Sequence, residues 1–493
     1  MGPRLLPRAR GLPDRHRPGQ VLASGRPHRP GLRRSQPGLR LPAPGSLRGV
    51  TVTDATARRL QARLAHAQTT GRLPSVVAGL VRDGEPIWFG VHGGPAVEGH
   101  DPYDVQYRVG SITKTMTAVL VLQLVRDGRI GLDDPASTVL GDVGYADRSV
   151  RTLLAHSSGM QSEPVGSWWE RSAGLSWDEL MTANDGSRAV FPTHQEFHYS
   201  NLGYALLGEL AARMHGTTWW EAVQQRILDP LVLTRTSYLP EGAAAPGWSV
   251  QPYESTLVAE PATDTGAMAP AGQVWATITD LARYATFLLE GHPDVLSADD
   301  LAQAYGPQSG NPKDGVRYAH GLGFQLFPGG SGTLAGHTGS MPGFLATVLV
   351  DRGRRVGGVV LANATVGYSP AAIVTELLDE LETCEPTVAP AWTPSPPLPA
   401  ELAGVPGVWH WGNTPVVFAM EGAELVGRRG GVENYRFAVR DGRVVGTSGY
   451  HAGEELHAVR RPDGSVGHLD IATFVYTREP YDPDAPIPGG HPV

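Results

Sequence analysis

The sequence predicts an α+β protein in two ordered parts. The first is an antiparallel sheet flanked by helices with a helical lobe, and the second is a separate small all-β, barrel-like domain. Three observations carry this. An early strand pair and a late group of strands enclose a long, largely helical middle. Residues 386–399 then hold six prolines, the composition of a stiff, extended connector. Beyond it, short apolar runs alternate with Gly-containing turns, the pattern of a small β-module.

The elements follow in order. Asp54 is positioned to cap a helix whose Ala57, Leu60, Leu64 and Ala67 share one face, with Gly71 closing it. Val76–Val81 and Pro86–Val91 read as two strand runs that meet through Asp83-Gly84, a hairpin signal. Ser111–Arg126 reads as a helix, apolar at Met116, Val119, Leu120 and Leu124 and ended by Asp127-Gly128. Further helices are expected over 202–215, 217–227 and 279–290, and strands over 321–327, 333–338, 343–351 and 355–363. A last helix runs over 370–382. Early and late strands pair into one sheet, the terminal helices cover one face, and a site at the junction of sheet and lobe draws on distant segments. From Leu402 to Thr477 short strands turn at Glu421-Gly422, Asp441-Gly442 and Asp463-Gly464. The expected domains are 1–50, 51–384 and 401–493, with a linker over 385–400.

Composition excludes several classes. The chain has 493 residues, 41% hydrophobic and 18% charged, enough to bury a full core. No apolar run reaches the ~18–20 residues of a membrane span. The single cysteine, Cys384, excludes a disulfide framework and a Cys-based zinc finger. A net charge of −8 gives no support for nucleic-acid binding. Residues 1–50 are set apart by 11 Arg, one acid, nine prolines and eight glycines. They read as a disordered leader or as translated upstream sequence, with the working protein starting near Val50 or Val52. With no export signal visible, the expected location is cytoplasmic.

Only two of the 41 basic residues are lysines, Lys114 and Lys313. Lys114 follows Ser111 by three residues, so on a helix the two share a face. A serine hydroxyl is a weak nucleophile until a neighbour takes its proton. A lysine does so only when neutral, which burial or nearby positive charge achieves, and arginine cannot replace it. The plainer reading is a capping serine beside an incidental lysine. Tyr199-Ser200-Asn201 precedes the 202–215 helix. Tyr199 is a candidate base or proton relay and Asn201 a candidate partner for a substrate amide; alternatively, Tyr199 packs at a helix start that Asn201 caps. His337-Thr338-Gly339-Ser340 ends a late strand. Gly339 allows close approach to the strand edge, and the Ser340 amide is placed to face an oxyanion beside that of Ser111. His337 is a candidate to hold a carboxylate or assist proton transfer, or else belongs to a polar turn.

The order Ser-x-x-Lys, Tyr-x-Asn, His-Thr-Gly resembles the serine β-lactamase and DD-peptidase superfamily. It is closest to the class C β-lactamase and D-alanyl-D-alanine carboxypeptidase branch. Leu153-Leu154-Ala155-His156-Ser157-Ser158-Gly159, Tyr199–Tyr204 and Asp280-Leu281-Ala282-Arg283 support the likeness, which covers residues 52–383. The resemblance implies an acyl-enzyme hydrolase: Ser111 as nucleophile, Lys114 and Tyr199 sharing proton transfer, Asn201 orienting the substrate, and the Ser111 and Ser340 amides as oxyanion hole. The His-Thr-Gly form departs from the lysine version usual in β-lactamases and is similar to that of some DD-carboxypeptidases and D-aminopeptidases. Residues 401–493 resemble the lipocalin-like β-domain appended to many such hydrolases, either a lid or binding module or a packing domain.

The expected substrate is therefore a small amide, peptide or ester. The alternatives are a class C-type β-lactamase and a catalytically silent binding protein on the same fold. No G-x-S-x-G elbow, HExxH or P-loop is present, and no cofactor or metal is expected. The pattern leaves the oligomeric state open.

Overall fold

The computed structural model describes residues 52–310, 318–330, 332–365, 369–388 and 391–480. The expected leader and Lys313 lie outside the described residues. Two compact units divide after Pro386.

In the first unit, α1 (Asp54–Gly71) leads into the hairpin β1 (Ser75–Arg82) and β2 (Glu85–Gly93). Asp83 and Gly84 both take positive φ, 51° and 81°, as the two-residue hairpin turn requires. The helical middle contains α2 (Thr113–Arg126), α3 (Asn201–His215) and α4 (Ile278–Glu290). The late strands are β3 (Ser309–Gly310), β4 (Ala319–His320), β5 (Gln325–Gly329), β6 (Gly332–Met341), β7 (Phe344–Asp351) and β8 (Val356–Ala362). The last helix is α5 (Pro370–Cys384).

These strands form one antiparallel sheet in the order β2-β1-β8-β7-β6-β5-β4-β3. The first hairpin therefore joins the last strand, with Val76 opposite Ala362 and Arg82 opposite Val356. Strand alternation sends the two faces into different cores. Val76, Ala78, Leu80, Leu349 and Val360 pack with Leu60 and Leu64 of α1 and Val374, Leu377 and Leu381 of α5. Val77, Val81, Val348, Val359 and Leu361 pack with Leu281, Ala285 and Leu288 of α4 and with the helical middle. Each such buried aliphatic side chain contributes roughly 1.5–3 kcal/mol of transfer free energy. Glu380 of α5 clips the terminal helices together by accepting from Arg59 and from Arg63, the latter at 2.9 Å.

Several boundaries differ from the expectation. Thr53, not Asp54, caps α1 by accepting from the Thr56 amide, leaving Asp54 in the first turn, where its charge suits the helix dipole. Arg72 rather than Gly71 takes the left-handed position that closes the helix. Ser111 sits in a 3₁₀ turn, Gly110–Ile112, and α2 proper starts at Thr113. The expected 217–227 helix is Trp219–Val223 followed by a π-helical turn, Gln224–Leu228. The strand expected over 321–327 begins at Gln325, because Gly323 takes φ 91° with its α-carbon against Ala118 of α2.

The second unit is antiparallel throughout: β9 (Gly407–Trp411), β10 (Thr414–Glu421), β11 (Glu424–Arg429), β12 (Val432–Arg440), β13 (Arg443–Gly449), β14 (Leu456–Arg460), β15 (Val466–Ile471) and β16 (Phe474–Thr477). The order is β13-β12-β11-β10-β9-β16-β15-β14. A bridge between Val445 and Glu455 draws the two edge strands together, so the sheet is nearly a closed barrel. Trp409, Phe418, Phe437, Leu469 and Tyr476 fill it.

Candidate active site

Three segments far apart in sequence converge beside the start of α2. Ser111 is partly exposed. Lys114, one turn on, is wholly buried, with its Nζ 2.9 Å from Ser111 Oγ and donating to the Ala271 carbonyl at 2.7 Å. Burial lowers this amine to about 7, against the opposing pull of Glu163 and Glu170. Near neutrality a substantial fraction of Lys114 is therefore the free amine. In that form it can donate to Ala271 and accept the Ser111 hydroxyl proton.

Tyr199 lies directly before α3 and shares a side-chain hydrogen bond with Ser111. Its ring centroid is 5.0 Å from Lys114 Nζ. Burial pushes this phenol well above its ordinary value, so it rests protonated. Ser200 caps α3 through the Gly203 amide, which removes the alternative reading of Asn201 as the cap. Asn201 instead opens the helix, and its Nδ2 donates to Glu163 at 2.7 Å. Glu163 also accepts from Trp169 Nε1 at 2.7 Å. The Asn201 carboxamide is thus held in a fixed orientation.

The third segment is the C-terminal half of β6. A Cβ on Gly339 would run into the Val109 carbonyl and lie 3.2 Å from the Ser111 amide nitrogen. A Cβ on Gly110, itself at φ +55°, would lie 2.6 Å from the Ser340 amide nitrogen. The Ser111 turn and the β6 edge therefore touch backbone to backbone, which needs glycine on both sides. Thr338 is fixed by its amide and hydroxyl, both donating to Gln325 Oε1 at 2.8 and 3.0 Å.

His337 is wholly buried, its ring centroid 6.2 Å from that of Tyr199. It joins two further buried imidazoles, His320 at 6.0 Å from it and His156 at 4.6 Å from His320. Burial, reinforced by mutual repulsion and by Lys114, holds His337 and His156 well below the ordinary histidine value. His320 is lowered to about 4, mainly by burial. The sequence reading missed His320, Glu163 and Glu170 as neighbours of the site and met His156 only within a longer phrase. Nothing in their local spacing marks them, since tertiary folding alone brings them together.

A cavity of about 1040 Å³ lined by Trp177, Trp219, Trp220, Tyr238 and Pro270 includes neither Ser111 nor Lys114. The convergence of polar groups, rather than cavity size, marks the site.

Residues 57–382 match the Beta-lactamase family model, and residues 398–478 match a domain of unknown function, DUF7586. Beta-lactamase-like protein 2 of Dictyostelium discoideum is 26% identical over 332 residues, 63% of this chain and 59% of that protein. This chain thus spans about three fifths of that relative's length. Penicillin-binding protein 4 of Amycolatopsis lactamdurans is 29% identical over 346 residues, 62% of this chain and 85% of that protein. The crystal structure of a D-stereospecific amidohydrolase from Streptomyces sp. aligns with a TM-score of 0.54 at 27% identity, covering 67% of this chain and 98% of that one. With the family model covering about two thirds of the sequence, this chain belongs to the beta-lactamase family.

Proposed function

We propose that the chain is a serine hydrolase that cleaves small amides, peptides or esters through an acyl-serine intermediate, with D-amino-acid derivatives and simple esters preferred over β-lactams. The observation that carries this is the wholly buried Lys114, lowered to about 7 and 2.9 Å from Ser111 Oγ. A lysine buried at such cost beside a partly exposed serine hydroxyl is poised as a general base.

In the proposed sequence the Lys114 amine takes the Ser111 proton as Oγ attacks the substrate carbonyl. The oxyanion is stabilised by the Ser111 and Ser340 amides. Tyr199, a neutral phenol at rest, hands its proton to the leaving amine or alkoxide and is reprotonated from Lys114. Asn201 holds the substrate amide. Water then attacks the acyl-serine by the same groups in reverse, releasing the acid and restoring Ser111.

The preference against β-lactams rests on His337. Its imidazole is neutral and wholly buried, so it offers a penicillin carboxylate none of the charge of the lysine usual at this motif in β-lactamases. The D-stereospecific amidohydrolase neighbour supports an amide substrate of D configuration. The test is a panel of D- and L-amino-acid anilides, nitrophenyl esters and a chromogenic cephalosporin, with Ser111→Ala as control. Turnover of a D-anilide or ester, lost in Ser111→Ala, is expected. Cephalosporin turnover faster than every other substrate, or no turnover by the folded wild type, would overturn the reading.

A further inference from the structure

The C-terminal sheet carries a second assembly that the hydrolase chemistry does not use. Trp411, Arg429, Asn434, Tyr435, Tyr450 and Phe474 line one cavity of about 410 Å³. Tyr450 stacks on Phe474 with ring centroids 5.6 Å apart and planes 2° apart, and Trp411 packs on Phe474 at 5.5 Å. Tyr450 is 73% exposed and Trp411 39%. Large aromatic side chains gathered in a concavity yet left open to water present their faces to a ligand.

The same cavity carries one cation, Arg429. Arg428 pairs with Glu421 and Glu433, Arg436 with Glu421, Glu424 and Glu433, and Arg443 with Glu455. Arg429, next along the chain and lining the cavity, has no carboxylate partner among the described residues. Its guanidinium lies 5.6 Å from the Trp411 ring centroid, and its backbone amide donates to Asn434 Oδ1 at 3.0 Å. An unpaired planar cation over an aromatic face suits a planar anion.

The cavity wall is rigid. His451 is wholly buried and its Nδ1–H donates to Glu454. Its Nε2 is hydrogen-bonded to the Tyr476 hydroxyl at 3.1 Å, and Tyr476 in turn shares a side-chain hydrogen bond with Tyr435. This chain, buried at His451, Tyr476 and Tyr435 and reaching solvent at Glu454, holds the Tyr435 ring in place before any ligand arrives.

We propose that this cavity binds an aromatic carboxylate, with its ring against Trp411, Tyr450 and Phe474 and its carboxylate on Arg429. The volume suits one ring with a short chain. A phosphate would call for several converging cations, and Arg429 alone lines this cavity. The site is independent of the acyl-serine chemistry, whose failure would leave it standing.

The test uses full-length Ser111→Ala protein, which removes turnover at the other site, titrated calorimetrically with 3-phenylpropionate. Saturable binding is expected, weakened about tenfold or more by Arg429→Gln and also weakened by Tyr450→Ala. The uncharged 3-phenylpropan-1-ol should bind about tenfold more weakly. Tyr450 is largely exposed, so its truncation should leave the fold intact, checked by near-UV circular dichroism. No saturation up to roughly 20 mM, affinity unaffected by either substitution, equal affinity for the alcohol, or tighter binding of glucuronate than of the aryl acid would each overturn the assignment.

Discussion

His156 stacks on Tyr199 with ring centroids 4.2 Å apart and planes 28° apart. Its Nδ1 accepts the Ser200 amide at 3.0 Å, and its backbone holds φ at 54°, a conformation unusual for a residue with a side chain. One buried imidazole thus supports both the phenol ring beside Ser111 and the backbone that follows it. His156→Phe keeps a flat ring but leaves the Ser200 amide without its acceptor. That costs about 1–3 kcal/mol of stability. If Tyr199 acts in proton transfer, kcat falls roughly 10- to 100-fold with little change in KM. Thermal unfolding and steady-state kinetics check this, and His156→Asn, which restores an acceptor, should recover part of the stability.

The Lys114 amine sets a pH dependence. With the group lowered to about 7, the free-base form is lost as pH falls through that value, and kcat/KM should decline about tenfold per unit below it. Glu163 and Glu170 raise this value and oppose the burial. Glu170→Gln removes one of these charges, so the acid limb of the profile should move to lower pH. A limb that stays in place would detach Glu170 from the base.

Lys114→Met should abolish turnover while stabilising the fold. The ordinary amine value of 10.5 lies above the folded value of about 7. The unfolded chain therefore binds more protons between the two, and stability rises with pH across that window. The cost of burying this lysine is full below about pH 7 and absent above 10.5. A shift of that size corresponds to roughly 4–5 kcal/mol. The lost bonds to Ser111 and Ala271 offset part of it, leaving a net gain of about 2 kcal/mol at pH 7 or below. Denaturant unfolding at pH 6 and pH 9.5 should show a larger gain at the lower pH.

Gly339→Ala places a methyl group against the Val109 carbonyl. Either β6 or the Ser111 turn must withdraw, separating the two amides proposed as the oxyanion hole. A loss of about 10²–10³ in kcat is expected. Stability should also fall by about 1–3 kcal/mol from overpacking. Unchanged kcat would remove Gly339 and its neighbour from the oxyanion account.

Sequence legibility follows the range of the interaction. Ser111 and Lys114 are one helical turn apart, so their shared face is local geometry and is visible in the chain. The sheet was legible because the apolar, β-branched runs within residues 76–91 and 343–363 are local too, and they pair because both are buried on two faces. Asn201's partner Glu163 and the His156–His320–His337 group are set by folding across tens to hundreds of residues, which periodicity does not encode. The cap at Thr53 rather than Asp54 is a one-residue competition between two good capping side chains. The late start of β5 follows from Gly323, whose backbone approaches α2, a tertiary constraint on a run that reads locally as strand.

If the chain works through an acyl-enzyme, Ser111 carries the acyl group. Intact mass after incubation with an active-site fluorophosphonate tests it directly, comparing wild type with Ser111→Ala. A single adduct is expected on the wild type, mapped to Ser111 by peptide analysis, and none on the variant. An adduct that persists on Ser111→Ala, or that maps to another residue, would contradict it.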